Sequence, residues 1–547
     1  MKYKNKTKKY FRDDSDKGTK TDSESESDSD SDSDYDNKSK KKRSEYSESY
    51  GSKNATKIRK RTSSSDNYKN SKIKNSLCNP KMNFEDCELV ILRSAVDSAE
   101  ELQGKKTANS PEVKHIISIV EAFLKRKRLI CYGGTAINNI LPKQDQFYNK
   151  EVEIPDYDFF SANALNDAKE LTDIYVKAGF EEAEAKSGQH HGTFKVFVNF
   201  IPVADITSIP AELFNKLKQD AKHVGGILYA PPNYLRMSMY LELSRPSGDV
   251  SRWEKVLKRL SILNKHYPLS AHNCDYIEFQ RKMSDKVSDD KIFETVKKTL
   301  VDQGAVFFGG YAVALISQYM PANLKKRLEK NPDFDVLSED PVMTADIVKE
   351  RLDEMGIKNV TINRIEGIGE VIAPHYEIKI GKDNVAVIYE PLACHSYNTI
   401  RQHGDEINIA TIDTMLSFYL AFLYIDNPLY NYNPERILCM SQFLFDVQQK
   451  NRLNQKGLLK RFSLNCMGHQ PTIEEMREEK AKMFKTLSGK KGTKEYDEWF
   501  LRYKPAEQKD ATKSTSNNKK SRKGESRSRK QKKNKTRKKK GLLGIFK

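Results

Sequence analysis

Two aspartates one residue apart, Asp156 and Asp158, stand in "IPDYDFFS" at 154–161, and the spacing recurs as Asp333 and Asp335 in "NPDFDVLS" at 331–338. Side chains at i and i+2 of a strand share a face, so each pair projects two carboxylates together and turns its aromatics to the other side. Carboxylates so close repel each other unless a divalent cation lies between them. A D-x-D on a solvated strand edge is common and by itself says little. Each pair, however, follows a double glycine, Gly133-Gly134 in "YGGTAIN" and Gly309-Gly310 in "FGGYAVA". Glycine has no Cβ, so at the start of a helix its backbone N–H groups can approach a triphosphate. A third carboxylate follows the first pair: Asp205, in "PVADITSI", sits among Val203, Ala204 and Ile206, where a charge needs partners. Alternation puts Val203, Asp205 and Thr207 on one face. Three carboxylates from two neighbouring strands make a site for two Mg²⁺ or Mn²⁺ ions, which activate an attacking hydroxyl and stabilise a leaving pyrophosphate.

The elements that must hold these residues are legible in outline. Helical spacing begins near Phe84. Ser110 is a good N-cap, with Pro111 at the first helical position and Glu112 in the first turn; Val113, Ile116, Ile117, Val120 and Leu124 then form one apolar face. After "KRKR" come the short strand "LICY", the GG turn, the short helix "TAINNIL", the strand "EIPDYDFF" and a helix from about Asn163 to Ala178. Two β-rich runs follow, "GTFKVFVNF" and "IPVADITSI", and after Pro232 the pattern turns helical. Near residue 285 the order restarts, with "AVFFGG", "PDFDVLS", a helix from about Val342, strands "PHYEIKI" and "VAVIYEPL", and the helix "IATIDTMLSFYLAFLYI". The offset is 176 residues at the double glycines and 177 at the first aspartates, which indicates an internal duplication.

"YGGTAIN…PDYDFFS…VADITS" resembles the nucleotidyltransferase signature of the DNA polymerase β-like superfamily. Within it, "NYLRMSMYLELSRPSGDVSRWEKVLKRLSIL" is similar to the catalytic subunit of the poly(A) polymerases of large cytoplasmic DNA viruses, the poxvirus and giant-virus kind. The resemblance covers roughly residues 85 to 500. It implies an α+β chain with two tandem nucleotidyltransferase-like domains, the second degenerate. The expected division is a disordered tail at 1–80, an N-terminal helical segment at 81–128, a catalytic domain at 129–275, a degenerate copy at 276–500 and a basic disordered tail at 505–547. The implied activity is template-independent transfer of AMP from ATP to RNA 3′ ends, with Asp156, Asp158 and Asp205 as catalytic metal ligands. Asp205 is then expected to help deprotonate the 3′-hydroxyl, and Gly133 and Gly134 to hold the triphosphate. Arg252, Lys255 and Arg259 share a helix face, where they suit ATP phosphates, the RNA backbone or plain solvation. A terminal uridylyltransferase and a non-catalytic RNA-binding scaffold are the alternatives. The resemblance also implies residence in the virion and the host cytoplasm; a homodimer and a separate processivity subunit are both left open.

In the second copy the third carboxylate is missing. Aligning "VNFIPVADITS" with "AVIYEPLACHS" puts Cys394 opposite Asp205, with Glu390 four positions away, so this copy is expected to be non-catalytic. His190-His191 lack a third ligand and read as structural or RNA-contacting.

Composition is that of an intracellular protein, or one packaged from an intracellular site, with a mixed-charge globular body and a basic appendage. Only 37% of the 547 residues are hydrophobic while 31% are charged, an average that mixes a foldable centre with unfoldable ends. Residues 1–80 are Lys, Ser, Asp and Glu runs, including "DSESESDSDSDSDYD", a solvated spacer or a polyanion competing with RNA. From Pro505 onward there are 17 Lys or Arg against 3 Asp or Glu, and the formal charge is +19, so this tail carries most of the excess and suits phosphate backbones, although a nuclear address would look the same. Seven scattered cysteines without a C-x-x-C argue against a disulfide framework or a zinc site. The first 20 residues hold no apolar stretch, so no signal peptide is expected, and no run of about 18 apolar residues predicts a membrane span.

Overall fold

The computed structural model describes residues 77–79 and 81–505, apart from 273, 275–276, 278–283, 285–286, 288, 327, 329 and 425–433. The tails for which disorder is expected thus fall outside the described residues, except for 77–79 and 505. The chain divides into two units, 1–79 and 80–547, and every described helix and strand lies in the second.

Two helices open it, α1 (Phe84–Ala108) and α2 (Pro111–Lys127). α2 starts where its cap signals place it: the Ser110 side chain accepts from the Val113 N–H, and Val113, Ile116, Val120, Phe123 and Leu124 are buried. Arg128, in the left-handed region at φ 53°, ends the helix and turns the chain into β1 (Ile130–Cys131).

The first copy continues with α3 (Gly133–Ile140), β2 (Tyr157–Ser161), α4 (Ala164–Lys177), β3 (Ala183–Ser187), β4 (Thr193–Val198) and β5 (Ile201–Ser208). Next come α5 (Ala211–Gln219), β6 (Lys222–Val224), β7 (Ile227–Tyr229), α6 (Pro232–Leu243) and α7 (Trp253–His266). The second copy contains α8 (Asp290–Asp302), β8 (Val306–Phe307), α9 (Gly310–Ile316), β9 (Phe334–Leu337), α10 (Pro341–Glu354), β10 (Val360–Ile365), β11 (His375–Ile380) and β12 (Asp383–Tyr389). It closes with β13 (His395–Gln402), β14 (Asp405–Ala410), α11 (Ile412–Phe422) and α12 (Pro434–Lys450).

The duplication holds in topology. The first sheet runs β3-β4-β5-β2-β1-β7-β6 and the second β10-β11-β12-β9-β8-β14-β13, each extended at one edge by a two-residue strand. Antiparallel β1–β2, parallel β2–β5 and parallel β1–β7 recur as β8–β9, β9–β12 and β8–β14. The expected α+β class, with a repeated mixed sheet covered by helices, is therefore found. α6 of the first copy packs on α11 of the second, and every residue of α11 is buried, as befits a helix apolar all round.

After β15 (Cys466–Met467), which extends the second sheet beside β13, the chain returns to the first copy. α13 (Ile473–Leu487) and α14 (Lys494–Phe500) lead to β16 (Arg502–Tyr503), which pairs with β3 and completes the first sheet. Lys169 to Asp497 (2.6 Å) and the Tyr503 hydroxyl donating to Asp173 (2.9 Å) fasten this return. The rings of His191 and Trp499 lie 4.3 Å apart, tilted by 38°.

The cysteines correct an expectation. Cys274 is bonded to Cys439 and Cys394 to Cys466, with Cα–Cα separations of 5.5 and 5.1 Å. These partners lie 165 and 72 residues apart, so no local spacing announces them. Cys131 is free and buried. Among the described residues, no helix is long and apolar enough to cross a membrane.

Candidate active site

The site begins at the β1–α3 turn. Gly133 has φ +69°, a region glycine enters without cost, and a Cβ there would meet Asp158 Oδ2 at 2.6 Å. The turn is tied to β2 twice: the Tyr132 N–H donates to the Asp158 carbonyl (2.9 Å), and the Thr135 hydroxyl donates to the Asp156 carbonyl (2.6 Å). Tyr132 also stacks on Phe160 with centroids 3.9 Å apart, and its hydroxyl shares a hydrogen bond with Thr207 (2.8 Å). The GG turn, β2 and β5 are thereby held in one corner.

The carboxylates follow from strand register. Parallel pairing sets Asp158 directly beside Asp205. Tyr157 and Phe159 point into the core, and the aspartates face outward, as alternation requires. β2 starts at Tyr157, so Asp156 stands one residue before it and is exposed, whereas Asp158 is half-buried. Although Asp156 keeps contact with solvent, desolvation by the protein around its carboxyl, reinforced by Asp205, raises its pKa. Burial acts more strongly on Asp158 and, with Asp156 and Asp205 adding repulsion, pushes it up to about 7. This corner holds more negative charge than its surroundings neutralise.

One neutralising group is absent from the sequence reading. Lys195, on β4, pairs in register with Asp205, and its Nζ lies 2.8 Å from Asp205 Oδ2. Across three strands the row reads Asp158, Asp205, Lys195.

Of the basic residues singled out, Arg252 sits at the N-cap of α7, forms an ion pair with Glu242 (3.0 Å) and offsets a small part of the rise in the Asp158 pKa. Arg259 reaches the GG turn: its Nη2 donates to the Tyr148 hydroxyl (2.6 Å), and both groups press on Gly134. Tyr148 is the second group that sequence spacing does not reveal, because it lies in the loop before β2. Lys255 is exposed one turn from Arg259.

The donor set suits a hard divalent cation, being all carboxylate oxygen and short of positive charge. Among the described residues no three His, Cys, Asp or Glu side chains stand close enough to hold an ion as placed.

In the second copy Asp333 and Asp335 are buried, and a Cβ on Gly309 or Gly310 would collide with their carboxylates. Register also corrects the alignment: the residue beside Asp335 is Val387, fully buried, not Cys394, which lies past β12 in the disulfide to Cys466. The counterpart of Lys195 is Glu377. The third carboxylate is indeed missing, by a different substitution.

The comparisons with known proteins fall on this corner. Residues 118–249, from within α2 into the connection after α6, match the family described as poly(A) polymerase catalytic subunit. The resemblance drawn from the sequence is thus found again, over the stretch that carries the GG turn and all three aspartates. An African swine fever virus protein (strain Badajoz 1971 Vero-adapted) with the provisional name poly(A) polymerase catalytic subunit is 33% identical over 171 residues, 30% of this chain and 36% of that one. An Acanthamoeba polyphaga mimivirus protein of the same provisional name is 29% identical over 162 residues, 29% of this chain and 27% of that one. The matched stretch thus spans about a third of these relatives' length. The crystal structure of the Megavirus polyadenylate synthase superposes with a TM-score of 0.65 at 19% identity, covering 86% of this chain and 93% of that one, which establishes the fold.

Proposed function

We propose that this chain is a template-independent polynucleotide adenylyltransferase, adding AMP from ATP to RNA 3′ ends. The observation that carries the reading is the Asp158–Asp205 register, joined to the GG turn inside the stretch that matches the poly(A) polymerase family. Gly133 and Gly134 offer backbone N–H groups at the positive end of α3 to the triphosphate, and Arg259 adds a guanidinium there. Asp156, Asp158 and Asp205 would hold two Mg²⁺ or Mn²⁺ ions, which supply charge stabilisation on the phosphoryl oxygens. The RNA 3′-oxygen bonds to the α-phosphorus as the bond to pyrophosphate breaks, and Asp205 accepts the hydroxyl proton. The basic tail, with 17 Lys or Arg from residue 505 onward, follows β16 at the edge of the catalytic sheet, and such charge retains RNA by counterion release.

The test is a labelled RNA primer incubated with each NTP separately and Mg²⁺ or Mn²⁺. Extension by ATP is expected. Extension by UTP alone would replace the reading with a uridylyltransferase, and no extension by any NTP would favour a scaffold.

A further inference from the structure

Lys195 stands where a cation is expected but is not a nucleotide contact of the reading above. Its ammonium lies 2.8 Å from Asp205 Oδ2, and its side chain is 43% exposed while that of Asp205 is 18%. Asp156 and Asp158 also act on it electrostatically, so one ammonium serves all three carboxylates. The lysine therefore has room to leave, whereas Asp205 is fixed by the strand.

We propose that Lys195 is a positioning residue that acts as a tethered counter-ion, occupying Asp205 until a divalent cation displaces it. The idea rests on the carboxylates being the metal site, as in the proposed function. Its logic is competition. A lysine ammonium carries one charge on a flexible stem, and a divalent cation carries two and can draw on all three carboxylates. Tethered to the neighbouring strand, the ammonium always has a high local concentration at Asp205. It holds the negative row together when no metal is bound, and it weakens metal binding by occupying a ligand and by repelling the ion. The second copy fits this logic from the other side, since the position of Lys195 is Glu377 where Asp205 is replaced by Val387.

The experiment titrates Mn²⁺ into the full chain without nucleotide or RNA, reading free ion by electron paramagnetic resonance. Lys195→Met keeps the length of the stem and removes the charge. A charge removed from within a few ångströms of a divalent ion in a partly solvated site is worth about tenfold, so Lys195→Met should bind Mn²⁺ about tenfold more tightly than wild type. The gain should shrink as salt is raised, because the group is exposed. Lys195→Arg should bind like wild type, since it keeps the charge. Lys195→Gln repeats the test should Met disturb folding. Unchanged or weaker binding in both neutral variants overturns the proposal, as does the absence of Mn²⁺ binding in every variant. Because no nucleotide is present, a chain that binds Mn²⁺ as expected yet extends no RNA would refute the adenylyltransferase reading and leave this one standing.

Discussion

Asp158 is the residue whose replacement should strengthen the fold while abolishing the chemistry. Its carboxyl sits beside Asp205 and near Asp156, and burial with that repulsion moves its pKa from 3.8 to about 7. A proton is therefore held more tightly by the folded chain than by the unfolded one. By linkage, the contribution is fully present below about pH 4, is lost as pH rises to about 7, and is flat above that. The span from 3.8 to about 7, at 1.36 kcal/mol per pH unit, is about 4 kcal/mol. Asp158 is only half-buried, so screening by solvent leaves about half, or about 2 kcal/mol.

Asp158→Asn is neutral at every pH and close in shape, so it removes that cost. In EDTA at pH 8 it should raise the thermal midpoint by a few degrees. The advantage should shrink steadily toward pH 4.5, where the wild-type carboxyl is protonated in the folded state and approaches the range in which the unfolded chain takes up the proton too. Mn²⁺ should then stabilise the wild type at pH 8 and leave Asp158→Asn nearly unmoved, and RNA extension by the variant should be lost. Scanning fluorimetry across the pH series reads all of this. A variant less stable than wild type at pH 8 in EDTA, or a gap that does not change with pH, would show that the carboxylates are not in unrelieved repulsion.

Two further outcomes are expected from the GG turns and their aspartates. Gly133→Ala forces a side chain into a φ of +69° and against Asp158 Oδ2, so it should cost about 1–2 kcal/mol of stability and at least about a hundredfold in extension rate, read by thermal melting and primer extension. Asp335→Asn should leave extension within about twofold of wild type, because Val387 supplies no partner carboxylate beside it; loss of activity without unfolding would give the second copy a catalytic role.

What the sequence disclosed and what it hid differ in kind. The Ser110 cap, the GG turns and the D-x-D pairs are local signals, and each lands where its chemistry puts it. Even Asp205 is legible locally, as a charge in an apolar run. The Cys274–Cys439 and Cys394–Cys466 disulfides, Tyr148 above Gly134, and Lys195 beside Asp205 depend on which distant residues meet, and local pattern does not carry that.

For Lys195 the missing information is the register of one hairpin. Val198 pairs with Ile201 around a two-residue turn, Asn199 and Phe200, both with positive φ. Such turns match the twist of the strands they join. Asn is a recognisable turn residue, but Phe200, 82% exposed at φ 65°, is a poor one and disguises it. In the second copy the same turn is Gly381-Lys382, between Ile380 and Asp383. Superposing the copies on these turns, instead of on the apolar runs that follow, puts Val387 opposite Asp205 and Glu377 opposite Lys195. A row that reads acid, acid, base in the first copy thus reads acid, apolar, acid in the second. The second copy lacks both the third carboxylate and the cation facing it, and there both glycines of the GG turn abut aspartates, whereas in the first copy Gly134 abuts Tyr148 and Arg259. Restoring a carboxylate at Val387 alone would therefore bury a third negative charge beside Asp335 and Glu377, so the second copy differs from the first by several coordinated changes rather than by one.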